Sequence, residues 1–129
     1  MMPRSPSKKP SERRIAAERA GHRGEMLAAL FLQLKFYRLR QRRFKTPMGE
    51  IDLVVERAGT IVFVEVKARA RNADEQVTHA AINRRRITRA AQYWQARHPA
   101  ESGKDFRFDV IFLAPWRWPR HLINAFPAA

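Results

Sequence analysis

The chain contains no cysteine among its 129 residues, which excludes thiolate metal sites, thiol catalysis and disulfide staples and fits a reducing compartment. It also lacks any apolar run near the roughly 20 residues that a membrane helix needs. The start, Met1 to Arg14, is basic and polar without the apolar stretch of a signal peptide. A cytoplasmic location with no membrane partner is therefore expected. The four histidines, His22, His79, His98 and His121, show no ligand spacing, which argues against a zinc site. Acidic residues are few, 12 against 26 Lys and Arg, for a net charge of +14.

What is present is an ordinary globular composition, 45% hydrophobic, in a length that suits one compact domain. The positive excess would push a compact fold apart unless polyanions or counterions offset it. Nucleic acid is the leading partner on that ground, with affinity expected to fall steeply as salt rises. Charge alone does not separate a nuclease from a passive binder.

Residues 1–14 hold prolines, serines and basic residues and read as a flexible basic tail, with the domain proper expected over 15–129. From Ile15 to Tyr37 the pattern turns helical, and Leu27, Leu30, Phe31 and Leu34 mark a stripe expected to be buried. A short strand is expected over Leu39 to Phe44, then a turn at Thr46-Pro47-Met48-Gly49. Ala68 to Thr78 reads as a loop. A second helix follows with Ile87, Ala90, Ala91 and Trp94 on its buried face, ending near His98-Pro99. A last strand is expected over Phe106 to Leu113, after which the aromatic segment Trp116 to Phe126 caps the core.

The chemistry concentrates between Glu50 and Lys67. Ile51-Asp52-Leu53-Val54-Val55 and Ile61-Val62-Phe63-Val64-Glu65-Val66 carry the β-branched apolar character of buried strands. A turn centred on Ala58-Gly59 makes paired residue numbers sum to 117. In that register Ile51, Leu53 and Val55 share an apolar side with Val66, Val64 and Val62. The other side opposes Asp52 to Glu65 and Glu50 to Lys67. Like charges directly opposed about 5 Å apart are destabilising, and burying them unpaired costs several kcal/mol each, roughly. A divalent cation or a proton offsets that cost. Mg²⁺ or Mn²⁺ suits such oxygen ligands, with Asp52, Glu65 and the backbone carbonyl of Val66 as the expected set. Lys67, two residues beyond Glu65, shares its side of the strand. Its ammonium can orient an attacking water and offset charge on a phosphorane-like transition state. A bare Glu-x-Lys is a weak motif; Asp52 opposed to Glu65 inside apolar strands is what gives it weight. Glu50 reads as a partner for Lys67 or a rim charge, and Asp109 as a structural partner of Arg107.

Gly49-Glu50-Ile51-Asp52-Leu53 followed by Phe63-Val64-Glu65-Val66-Lys67-Ala68-Arg69 resembles the YraN-like family of predicted endonucleases. That family lies within the PD-(D/E)XK nuclease superfamily and is similar to Holliday-junction resolvases. The likeness runs from about Gly21 to Phe126 and includes Gly24-Glu25 on the first helix and Arg107-Phe108-Asp109-Val110 on the last strand. It implies an α/β domain with a restriction-endonuclease-like α-β-β-β-α-β core, a mixed sheet flanked by helices. It also implies Asp52, Glu65 and Lys67 as catalytic residues, with Glu25 as an auxiliary carboxylate.

Ile51-Asp52 stands where the superfamily has Pro-Asp. Asn83 followed by Arg84, Arg85 and Arg86 stands where a lysine would open the second helix. Arg69 and Arg84 to Arg86 are the expected nucleic-acid contacts. The expected activity is Mg²⁺- or Mn²⁺-dependent cleavage of DNA, favoured over RNA, in branched or structured form; two-fold-symmetric junctions favour a homodimer. The competing expectation is a nucleic-acid-binding module with this fold and little cleavage. Trp94 reads as core. Trp116 and Trp118 are expected to pack with the C-terminal segment rather than stack on bases.

Overall fold

A computed structural model of the chain describes residues 9–67 and 73–128, with side chains throughout apart from those of 17, 18, 20 and 73–83. Helix α1 spans Pro10–Leu34, followed by strands β1 (Arg38–Thr46), β2 (Gly49–Arg57) and β3 (Thr60–Lys67). Helix α2 (Ala73–Arg97), a 3-10 turn (Pro99–Glu101), β4 (Asp105–Phe112) and the short β5 (Arg120–Leu122) complete the chain. The five strands form one mixed sheet in the order β1-β2-β3-β4-β5, antiparallel except for the parallel β3–β4 pair. A parallel pair needs a long crossover, and α2 is that connection. This is the expected α/β architecture, a mixed sheet flanked by helices, with β5 added at one edge.

The β2–β3 hairpin turns at Ala58 and Gly59, both with positive φ (49° and 78°), the twist that joins right-handed strands through two residues. Its ladder runs from Arg57↔Thr60 to Leu53↔Val64, the register expected from the sequence. Leu53, Val55, Val62 and Val64 pack with Ala28, Ala29 and Leu32 of α1. Val54, Ile61 and Phe63 pack with Ile87, Ala90, Ala91 and Trp94 of α2. Ile51 corrects the expected alternation, because it joins the α2 cluster instead of lying beside Leu53. The strand thus loses its strict period of two at Asp52, just past the last β2–β3 ladder pair.

Three further expectations change. Helix α1 begins at Pro10, inside the stretch read as a tail, with Glu12 accepting the Lys9 N–H at 3.1 Å; residues 1–8 lie outside the described residues. The Ala68–Thr78 loop is shorter than expected, since α2 begins at Ala73; Ala, Glu and Gln are good helix formers despite their polar setting. The stripe of α1 is turned. Leu27, Leu30 and Leu34 are 58%, 56% and 75% exposed, while Ala28, Ala29 and Leu32 face the sheet. Residues 26–34 contain no charge, so periodicity could not choose between two apolar faces, and the alanines allow the closer approach. No helix among the described residues is long and apolar enough to cross a membrane.

Candidate metal centre

The break at Asp52 turns a buried strand into a polar end. The Asp52 carboxylate accepts a hydrogen bond from the Val66 N–H at 2.8 Å, so Val66, whose carbonyl is the expected ligand, meets Asp52 through its N–H. Burial pushes the Asp52 carboxyl up to about 7. The Val66 hydrogen bond works against that rise, while the charges of Glu25, Glu65 and Glu50 add to it.

Glu25 reaches the same place from α1. One carboxylate oxygen from each of Glu25, Glu50 and Asp52 lies within 4.8 Å of the others. A cation with bonds of about 2.1 Å sets its ligand oxygens up to about 4.2 Å apart, so small side-chain movements close this set around one ion. Burial raises Glu25 above its ordinary value and Glu50 adds to the rise, against Arg43, His22 and Arg42, which lower it. Glu65 lines a cavity of about 190 Å³ together with Glu50, Asp52 and Arg86. The Lys67 Nζ stands 3.1 Å from a Glu65 oxygen.

The structure therefore brings together Asp52, Glu65, Lys67 and Glu25, the four residues singled out in the sequence. It corrects the roles of two neighbours. Glu50 does not pair with Lys67, whose ion pair is with Glu65, and it joins Glu25 and Asp52 instead. Of the arginines expected to open the second helix, which lie instead in the middle of α2, Arg86 lines the cavity, Arg84 lies over the Phe126 ring at 5.4 Å and Arg85 is exposed. Arg69 lies outside the described residues.

Gly49 explains how α2 comes so near. A Cβ there would meet the backbone oxygen and Cβ of Arg86 at 3.0 Å, so any side chain would push the helix and its arginine away.

Sequence reasoning missed Arg43. Its Nε lies 3.2 Å from Glu25, its guanidinium also contacts His22, and its φ is 48°. The β1–β2 pairs Arg42↔Leu53 and Phe44↔Ile51 leave Arg43 opposite Asp52. A turn centred on Pro47-Met48 makes paired numbers sum to 95, and that arithmetic was the available signal.

Asp109 is structural, as expected. Arg107 donates to both of its oxygens at 2.8 Å, His121 contacts it at 2.7 Å, and the Asn124 N–H donates at 2.9 Å. Burial pushes its carboxyl up, but His121, Arg107 and Asn124 outweigh that and hold it below the ordinary value. The C-terminal segment does cap the core through Phe126, stacked on Phe108 at 5.2 Å. Trp116 and Trp118 correct the expectation, being 102% and 84% exposed; Pro115 and Pro119 bracket a turn that carries them away from the sheet.

Comparison with known proteins places these residues in a wider group. The model of the uncharacterised protein family UPF0102 matches residues 24–113, a span that holds Glu25, Arg43, Asp52, Glu65 and Lys67. A UPF0102 protein of Methylorubrum extorquens (strain PA1) is 50% identical over 121 residues, 94% of each chain. A UPF0102 protein of Rhodopseudomonas palustris (strain BisA53) is 44% identical over 125 residues, 97% of this chain and 96% of that one. One from Parvibaculum lavamentivorans (strain DS-1) is 48% identical over 111 residues, 86% and 84% of the two chains.

Proposed function

The chain belongs to protein family UPF0102, and we propose that it is a divalent-metal-dependent endonuclease of the PD-(D/E)XK type acting on branched or structured DNA. One observation carries the reading. A part-buried carboxylate, Asp52, is grouped with Glu25 and Glu50 and lines one cavity with Glu50 and Glu65, and Glu65 in turn pairs with Lys67. Asp52 followed by Glu65-Val66-Lys67 fits the superfamily pattern, and the mixed sheet flanked by helices is compatible with its core. The net charge of +14 suits a polyanionic substrate. Branched DNA as the substrate rests on the resemblance to resolvases.

Asp52, Glu25, Glu50 and Glu65 would hold Mg²⁺ or Mn²⁺. When bound, the cation supplies Lewis-acid polarisation of the scissile phosphate and a more acidic attacking water. Lys67 presents an ammonium whose position is fixed by Glu65. There it orients the nucleophile and offsets negative charge developing on the phosphorus oxygens. Arg86, on the cavity wall, offers a guanidinium to a phosphate entering from the α2 side. Arg43 neutralises part of the Glu25 charge and steadies that side chain before substrate arrives.

The test is a cleavage assay on branched DNA with Mn²⁺, comparing the natural chain with Asp52→Ala and Lys67→Ala. The natural chain should cut, and each variant should be slower by roughly 10²–10³-fold or more, the scale on which removal of one transition-state contact is felt. Binding without cutting in all three proteins would refute the assignment.

A further inference from the structure

A groove of about 630 Å³ runs along the outer side of α1, with Leu27, Leu30 and Leu34 on one wall and Leu113 and Trp118 on the other. We infer that this face is the contact surface of a two-fold homodimer, the partner being a second copy of this chain. The inference does not depend on the nuclease reading.

Four observations lead there. First, the three leucines are more than half exposed and the two tryptophans of the β4–β5 connection almost wholly so. Together these five side chains leave on the order of 800 Å² open, about what each partner gives to a standard interface. Isolated exposed apolar residues are ordinary, but Leu27, Leu30, Leu34 and Trp118 line one groove, and apolar side chains gathered in this way mark an association site.

Second, Trp116 is fully exposed with φ of 62°. A bulky residue in the left-handed region costs on the order of 1 kcal/mol or more, and an indole this exposed gains no packing that would offset that cost. Seating the indole in a partner's groove does.

Third, residues 26–34 carry no charge in a chain that is 29% charged. A phosphate backbone would call for cations along the groove, and only Arg23 and Arg117 stand among its lining residues. An apolar core with arginine at the rim is the usual anatomy of a protein–protein contact.

Fourth, the projecting Trp116 belongs to the loop whose Pro115, Arg117 and Trp118 line the groove. One patch therefore supplies both halves of the contact, and a two-fold axis closes it without leaving a free end.

Sedimentation velocity of the full chain across micromolar concentrations, at low and high salt, tests the inference. A species of twice the 15.1 kDa chain mass is expected. It should persist or strengthen as salt rises, because screening weakens the repulsion between two +14 copies. Leu30→Glu and Trp116→Ala change exposed residues, so both should keep the circular dichroism of the natural chain. Each should weaken the dimer by at least about tenfold, the share of a single anchoring side chain. A monomer at every concentration, or a dimer indifferent to both substitutions, overturns the inference. So does a monomer whose tryptophan fluorescence is quenched by single-stranded oligonucleotide at low salt; that result would assign the face to unpaired bases.

Discussion

Two acidic positions four residues apart on β2 meet opposite fates. Glu56, near the hairpin turn, is surrounded by cations. Arg38 lies 2.8 Å away, Arg40 2.7 Å and Lys104 2.6 Å, and the last two also bind Glu101 at 2.5 Å. The hydrogen bond from Lys104 leads in holding Glu56 down to about 2, and the one from Arg40 leads for Glu101, also lowered to about 2. Asp52, at the other end of the same strand, is pushed up to about 7 by burial first and by the charges of Glu25, Glu65 and Glu50 after it. A chain with 26 basic residues has cations enough for both ends. It places three of them around two carboxylates at one end, and pairs four carboxylates with Arg43 and Lys67 at the other, with Arg86 on the wall. The first end is a closed network that holds the sheet edge to the segment after α2. The second crowds four carboxylates into one place, an arrangement whose mutual repulsion a proton or a cation offsets.

The largest consequence of this contrast lies in the response to pH. The folded pKa of Asp52 lies above its ordinary value of 3.8, so the folded state holds that proton more tightly than the unfolded chain does. Its contribution to stability is complete below about pH 4 and is lost as pH rises through about 7, by at most about 4 kcal/mol. Urea unfolding in the presence of chelator should therefore show the natural chain weakening over that window. Asp52→Asn should flatten the decline, and an equally steep decline in that variant would break the comparison.

At the other end the sign reverses. Glu56 is lowered from 4.5 to about 2, so its contribution is present above about pH 4.5 and lost as pH falls toward about 2. Because the network lies at the sheet edge, part-buried beside the exposed Arg38, Glu56→Gln should cost about 1 kcal/mol at neutral pH, read from the same unfolding curves, with the high-pH decline untouched. A change in that decline would mean that the two ends are coupled.

Much of this was legible in the sequence where a rule of register applied. The Ala58-Gly59 turn and the β-branched runs determined which residues face each other from Arg57↔Thr60 to Leu53↔Val64; the expected opposition of Asp52 to Glu65 lies past that ladder, where the two line one cavity. Legibility failed where tertiary packing chose between equal options. In α1 two apolar faces competed, and the alanine-rich one won because it lets the helix lie closer to the sheet. At Asp52 the alternation broke as Ile51 turned toward α2, which freed Glu50 to join Glu25. Arg43 escaped notice because a basic strand residue in so basic a chain carries no signal until its place opposite Asp52 is counted out. Gly49 did not announce itself for a similar reason: only the α2 backbone at Arg86 shows what a side chain there would strike.

Calorimetric titration of the chain with Mn²⁺ at neutral pH tests the central claim most directly, with Asp52→Asn and Glu56→Gln as comparisons. The account predicts saturable binding to the natural chain, undiminished in Glu56→Gln and at least about tenfold weaker in Asp52→Asn, a loss of about 1.4 kcal/mol or more. Mn²⁺ that binds Asp52→Asn as well as the natural chain, or binds neither, would contradict it.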